Sequence, residues 1–113
     1  MPVSPSNGSR LAEVEQLVLL AVLRLEGDAY GVPIRELIAR DAGVPLTRGS
    51  IYVTLGRLEK KGLVESSFSE PEAVPGGKAR RLFRVRPSGV AALRAARRAV
   101  DGLTAGTVLA RRP

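Results

Sequence analysis

Glycine punctuation constrains this chain more than any other feature of it. Three stretches of helical apolar spacing each stop at a glycine, at Gly27, Gly43 and Gly62, where a left-handed turn ends a helix without steric cost. The first runs from about Leu11 to Leu25, with Leu11, Val14, Leu17, Val18, Ala21 and Leu25 on one stripe and Ser9 as its N-cap. Leu20 and Leu23 widen the stripe, so this helix is expected to be apolar on more than one side. The second spans about Gly31 to Ala42, tolerates Pro33 in its first turn, and turns Ile34, Leu37 and Ile38 inward. After Val44-Pro45-Leu46, Thr47 caps a third helix reaching Lys61, where Lys60 and Lys61 complement the negative end of the dipole. Leu63–Ser69 and Arg80–Arg86 then alternate as strands, Val64 with Phe68 and Phe83 with Val85, around a loop over 70–79. Pro87 opens a last helix carrying Val90, Leu93, Ala96, Val100 and Leu103. The order helix, helix, helix, hairpin, helix predicts a mainly α fold with a small β-hairpin (α+β).

The 113 residues suffice for one domain, and a chain this short gains core by pairing with a second copy. Cysteine and histidine are both absent, which removes disulfides, thiolate metal sites, the commonest zinc ligand and the commonest general base. No carboxylate, lysine or hydroxyl cluster replaces them, so neither an enzyme nor a metal or other cofactor is expected. Gly77-Lys78 fails as a phosphate loop, because Ala79 stands where Ser or Thr is needed and Glu72 where the first glycine belongs. No signal segment opens the chain, and the longest apolar run, Leu17–Leu23, falls short of the roughly 20 residues of a membrane span. A soluble, cytoplasmic protein without membrane contact is expected. Charge is the informative remainder. Residues 1–46 carry four basic and six acidic side chains, and residues 47–113 carry fourteen and five. A basic half joined to a mildly acidic one suits a surface for a polyanion.

The third helix concentrates that surface. On a wheel of roughly 100° per residue, Ile51, Leu55 and Leu58 fall within about 60° of one another as the core face. The opposite face holds Gly49, Ser50, Val53, Gly56, Arg57 and Lys60, with Arg48, Tyr52, Thr54 and Lys61 on its flanks and Glu59 nearer the buried side. Gly56 in mid-helix costs on the order of 1 kcal/mol relative to alanine, which makes sense where another backbone approaches closely. Val53 suits a thymine methyl and Arg57 a bidentate contact to guanine. Arg48, Ser50 and Tyr52, near the positive end of the helix, suit phosphate oxygens. Beyond the Pro-Gly-Gly tip of the loop, Lys78, Arg80 and Arg81 can lie along a backbone or a narrow minor groove.

The stretch Thr47–Val64 strongly resembles the recognition helix of the PadR family of transcriptional regulators. The likeness extends to Glu15–Leu20 and Asp28–Gly31, and returns in Gly76–Phe83 and Pro87–Gly89, covering roughly residues 11 to 95. Each motif alone is weak; together, in order and at matching spacing, they are strong. The resemblance implies a winged helix-turn-helix fold, a dimer, and most often repression through double-stranded DNA. It assigns Ser50, Tyr52 and Arg57 to DNA contact and sets Lys78, Arg80 and Arg81 at or near the wing. On this reading residues 1–10 form a disordered tail, 11–86 the DNA-binding domain, and 87–113 a dimerising helix with a short tail. Two-fold symmetry would put two recognition helices in successive major grooves, so an inverted-repeat operator is expected. Two departures stand out: Arg86 replaces the usual Thr or Ser before Pro87, weakening the N-cap, and the chain ends soon after Leu103. Family members often respond to small molecules, so an effector is a further expected partner, although Tyr30, Tyr52, Phe68 and Phe83 are the only aromatics available to wall a pocket. The competing reading is a winged-helix protein-interaction module that no longer reads DNA; acids or bulky apolar groups on the outward face of the third helix would favour it, and they are absent.

Overall fold

The computed structural model describes residues 10–71 and 75–110. Helices α1 (Glu13–Leu25), α2 (Gly31–Leu37) and α3 (Arg48–Lys60) precede strands β1 (Val64–Phe68) and β2 (Arg81–Val85), and α4 (Pro87–Thr104) closes the order before a 3₁₀ turn at Val108–Ala110. This is a winged helix-turn-helix, the expected arrangement. The α1 cap expected at Ser9 and most of the tail expected over residues 1–10 lie outside the described residues. Ala12 occupies the N-cap position instead, and the Glu15 carboxylate accepts its backbone N–H at 2.8 Å.

Helix α2 departs from its expected course at its end. Regular α-helix stops at Leu37, and Ile38–Ala42 continue as a wider π-turn before Gly43 reverses the chain at φ 69°. Ile38 stays buried through this turn, while Asp41 is held outside it by Arg24 at 2.7 Å and Arg40 at 2.9 Å. Thr47 caps α3 as expected, its Oγ1 accepting the Ser50 N–H at 3.1 Å.

The core lies where α1, α2 and α3 meet. Val18, Leu19, Ile34, Ile51, Leu55 and Leu58 have no solvent exposure. The antiparallel hairpin closes this core from one side, with Val64 opposite Val85, Ser66 opposite Phe83 and Phe68 opposite Arg81. Val64 and Phe83 are buried, but Phe68, on the same face of β1 as Val64 by alternation, is 71% exposed. Alternation fixes the face of the sheet; at Phe68 the helical layer no longer covers that face.

The Phe83 N–H ties the hairpin to the helical body by donating to the Ala29 carbonyl at 2.8 Å, and the Arg86 N–H donates to the Leu63 carbonyl at 2.9 Å, carrying the ladder one pair beyond Val64 and Val85. Arg86 gives α4 no side-chain cap, as its identity predicts. Ser88 Oγ instead donates to the Gly62 carbonyl at 2.6 Å, and Gly89 lies against the Leu63 carbonyl oxygen, where a Cβ would collide. The Pro-Ser-Gly motif is therefore a docking site of α4 on the hairpin. Among the described residues no helix is long and apolar enough to cross a membrane.

Candidate nucleic-acid interface

Helix α3 divides as its sequence predicts. Ile51, Leu55 and Leu58 point inward, while Arg48, Gly49, Val53, Gly56, Arg57 and Lys60 are exposed and Ser50 is partly buried. Val53 keeps 60% of its surface in solvent although it is apolar. Around Gly49 and Gly56 a Cβ would meet nothing within 4 Å, so both mark open space on the outer face. Thr54, expected on the flank, is buried; its hydroxyl donates back to the Ser50 carbonyl at 2.8 Å, which satisfies it inside the protein.

Tyr52 is 41% exposed, and its ring lies over the start of α2. A Cβ on Gly31 would come within 2.5 Å of the Tyr52 hydroxyl and 2.8 Å of Cζ. The Tyr-Gly pair at the start of α2 thereby gains a physical meaning: the glycine makes room for the ring that sets α3 against α2. Sequence reading put Tyr52 toward a ligand and gave no sign of this second contact.

Two charges of α3 are withdrawn from its outer face. Glu59, its only acid, meets Arg81 Nη2 at 2.6 Å and accepts from Ser66 Oγ at 2.6 Å. Lys61, at the C-cap, reaches Glu15 at 2.8 Å and the Arg10 carbonyl at 3.3 Å. Glu15 is only 3% exposed. Its burial alone would raise its pKa, but the hydrogen bonds from Lys61 and the Ala12 N–H, with the Lys61 and Arg57 charges, hold it below the ordinary carboxylate value. The pair was missed from sequence. The available signal was an acid within a turn of Leu11, Val18 and Leu19, at a position whose neighbours on the wheel are apolar.

The hairpin cations, grouped together from the sequence, occupy three different settings. Lys78 is exposed near the loop tip. Arg80 stacks its guanidinium over Tyr30 at 4.7 Å. Arg81 is bound to Glu59 and lies 5.1 Å from the Phe83 ring centroid, so its charge is already answered within the protein. Of the stripe expected on α4, Leu93 is buried in the protomer's own core and Val90 and Ala96 are partly buried. Leu93 is thus not available to a second copy, because α4 needs it to seal against its own domain. Val100 and Leu103 remain outside, at 60% and 84% exposure.

Comparison with known proteins follows the same outline. Residues 19–95 match the transcriptional regulator PadR-like family. Transcriptional regulator Rv3488 of Mycobacterium tuberculosis is 36% identical over 78 residues, spanning 69% of this chain and 68% of that protein. A PadR family regulator from Eggerthella lenta superposes with a TM-score of 0.65 at 29% identity, covering 83% of this chain and 81% of its own. One from Clostridium difficile superposes at 0.66 with 23% identity, over 82% of this chain and 95% of its own, which speaks to fold alone. The chain belongs to the PadR-like family of transcriptional regulators.

Proposed function

We propose that this protein binds double-stranded DNA as a homodimer, reads an inverted repeat through α3 and its wing, and represses the promoter that carries it, acting in the cytoplasm. One observation carries the reading: α3 turns an open, cationic face outward, and its single acid is neutralised behind that face by Arg81. Gly49 and Gly56 leave room for a nucleic-acid backbone or base edge to come close. Arg57 takes the bidentate role toward guanine and Val53 the contact to a thymine methyl. Arg48, Ser50, Tyr52 and Lys60 serve the flanking phosphates, and Lys78 with Arg80 serves the wing. Residues 11–86 act as the reading domain and 87–113 as the pairing segment, through Val100 and Leu103 with Val90 and Ala96 at the margin. An effector, where one acts, has few flat walls to stack on, since Arg80 already covers Tyr30 and Phe83 is buried.

Selection of bound duplexes from a random pool tests the whole reading at once. The expected product is an inverted repeat with half-sites about 10–10.5 bp apart or a multiple of it. Recovery of no enriched sequence at physiological salt would end the proposal, and enrichment of an isolated half-site would end its dimeric part.

A further inference from the structure

Three cations follow the loop tip, and one of them, Arg81, is tied to side chains of two other elements of the fold. The Arg81 guanidinium donates from Nη2 to Glu59 at 2.6 Å and from Nε to Ser66 Oγ at 3.2 Å, and Ser66 in turn donates to the other oxygen of Glu59 at 2.6 Å. Glu59 stands on α3, Ser66 on β1 and Arg81 on β2, so a closed triangle of hydrogen bonds spans three elements. The Phe83 ring, buried beneath, supports the guanidinium at 5.1 Å. With Nε and one Nη2 proton committed to these partners and its charge answered by Glu59, the guanidinium gains less from a phosphate than a cation with no acid beside it. Turning it wholly to a phosphate would leave Glu59 as an unpaired acid beside the DNA.

We propose that Arg81 is a positioning residue of the wing and not a phosphate contact: it fixes the hairpin against α3 by answering Glu59. Lys78, with Arg80, then supplies the wing's electrostatic contact. The inference rests on the DNA reading given above and deepens it, by separating the cation that sets the hairpin's angle from those that touch the ligand.

Titration of a bound duplex with salt distinguishes the two roles, because each cation that neutralises a phosphate adds roughly one to the slope of log affinity against log salt. Arg81→Ala is expected to lose up to about fivefold in affinity, the scale of a half-exposed ion pair, with the parent slope. Lys78→Ala is expected to reduce the slope by about one. The exchange of charges, Glu59→Arg with Arg81→Glu, is expected to recover most of what Arg81→Glu alone loses. A slope reduced by about one in Arg81→Ala, or a double variant as weak as Arg81→Glu, overturns the proposal.

Amide hydrogen exchange of the DNA-free protein supplies a second readout. Arg81→Ala and the milder Glu59→Gln should both speed exchange across the β1–β2 ladder, and Lys78→Ala should not. Parent exchange rates in both clamp variants overturn the inference even where DNA binding is intact. If the parent protein binds no duplex, the DNA reading fails, while the exchange rates still decide the clamp.

Discussion

Glu15 is the residue whose surroundings matter most for how the protein responds to solution conditions. A carboxylate at 3% exposure persists because Lys61 and the Ala12 N–H both donate to it. Its pKa is lower in the folded protein than in the unfolded chain, so its contribution to stability is present above the ordinary glutamate value of about 4.3. That contribution is lost as pH falls through the folded value. Between about pH 5 and pH 3, the urea midpoint of the parent should therefore fall more steeply than that of Glu15→Gln. Parallel curves would mean that the pair gives no pH-dependent support. Asp41, held low by Arg40 and then Arg24, is common to both proteins and drops out of the comparison. Arg57 makes a contrasting case, since its proposed role is toward the ligand. Arg57→Ala should cost about 1–3 kcal/mol of binding and relax preference at one base pair, measured against a panel of operator variants. Equal discrimination by parent and variant would remove Arg57 from base reading.

At the scale of elements, the glycines separate packing from function. Gly31 admits the Tyr52 ring and Gly89 admits the Leu63 carbonyl, so both are demanded by contacts inside the protomer. Gly56 has no such neighbour, and it sits in the middle of α3 where glycine weakens a helix. Gly56→Ala should stabilise the isolated protein by up to about 1 kcal/mol, seen as a higher Tm. The same change should lower DNA affinity, because the added methyl occupies the approach. A variant that gains stability and binds DNA as the parent does would show that the glycine serves no ligand. The π-turn after α2 makes a related point about elements: the inward spacing of Ile34, Leu37 and Ile38 survives although the helix type changes, because burial of Ile38 and the Gly43 reversal both tolerate the wider turn.

For the molecule as a whole, α4 is the element on which the proposed dimer depends. Its first half is anchored by Gly89 and Leu93, both buried, while Val100 and Leu103 project from its second half at 60% and 84% exposure. Apolar groups so placed on a helix are costly to leave in water and suit a helical partner of the same kind. On the proposed dimeric reading, Leu103→Glu should yield a monomer in sedimentation equilibrium and reduce affinity for the full inverted repeat far more than for a half-site. A variant that sediments as the parent does would remove Leu103 from the interface.

The order of elements, the capping of α3 by Thr47 and the inward face Ile51, Leu55, Leu58 follow from the chain's own pattern, because periodicity and caps act over a few residues. So does the outward, acid-poor face of α3, which is the complement of that core. What the tertiary structure alone decided is how far each element reaches and which charges remain unspoken for. Phe68 has the alternation of a half-buried residue but no helix above it, and Leu93 has the spacing of an interface residue but a core waiting beneath it. Arg81 and Lys61 belong by sequence with the other cations, yet partners 22 and 46 positions away in the chain, Glu59 and Glu15, claim them. Ion pairs over such separations depend on how helices and hairpin pack, and no local pattern encodes them.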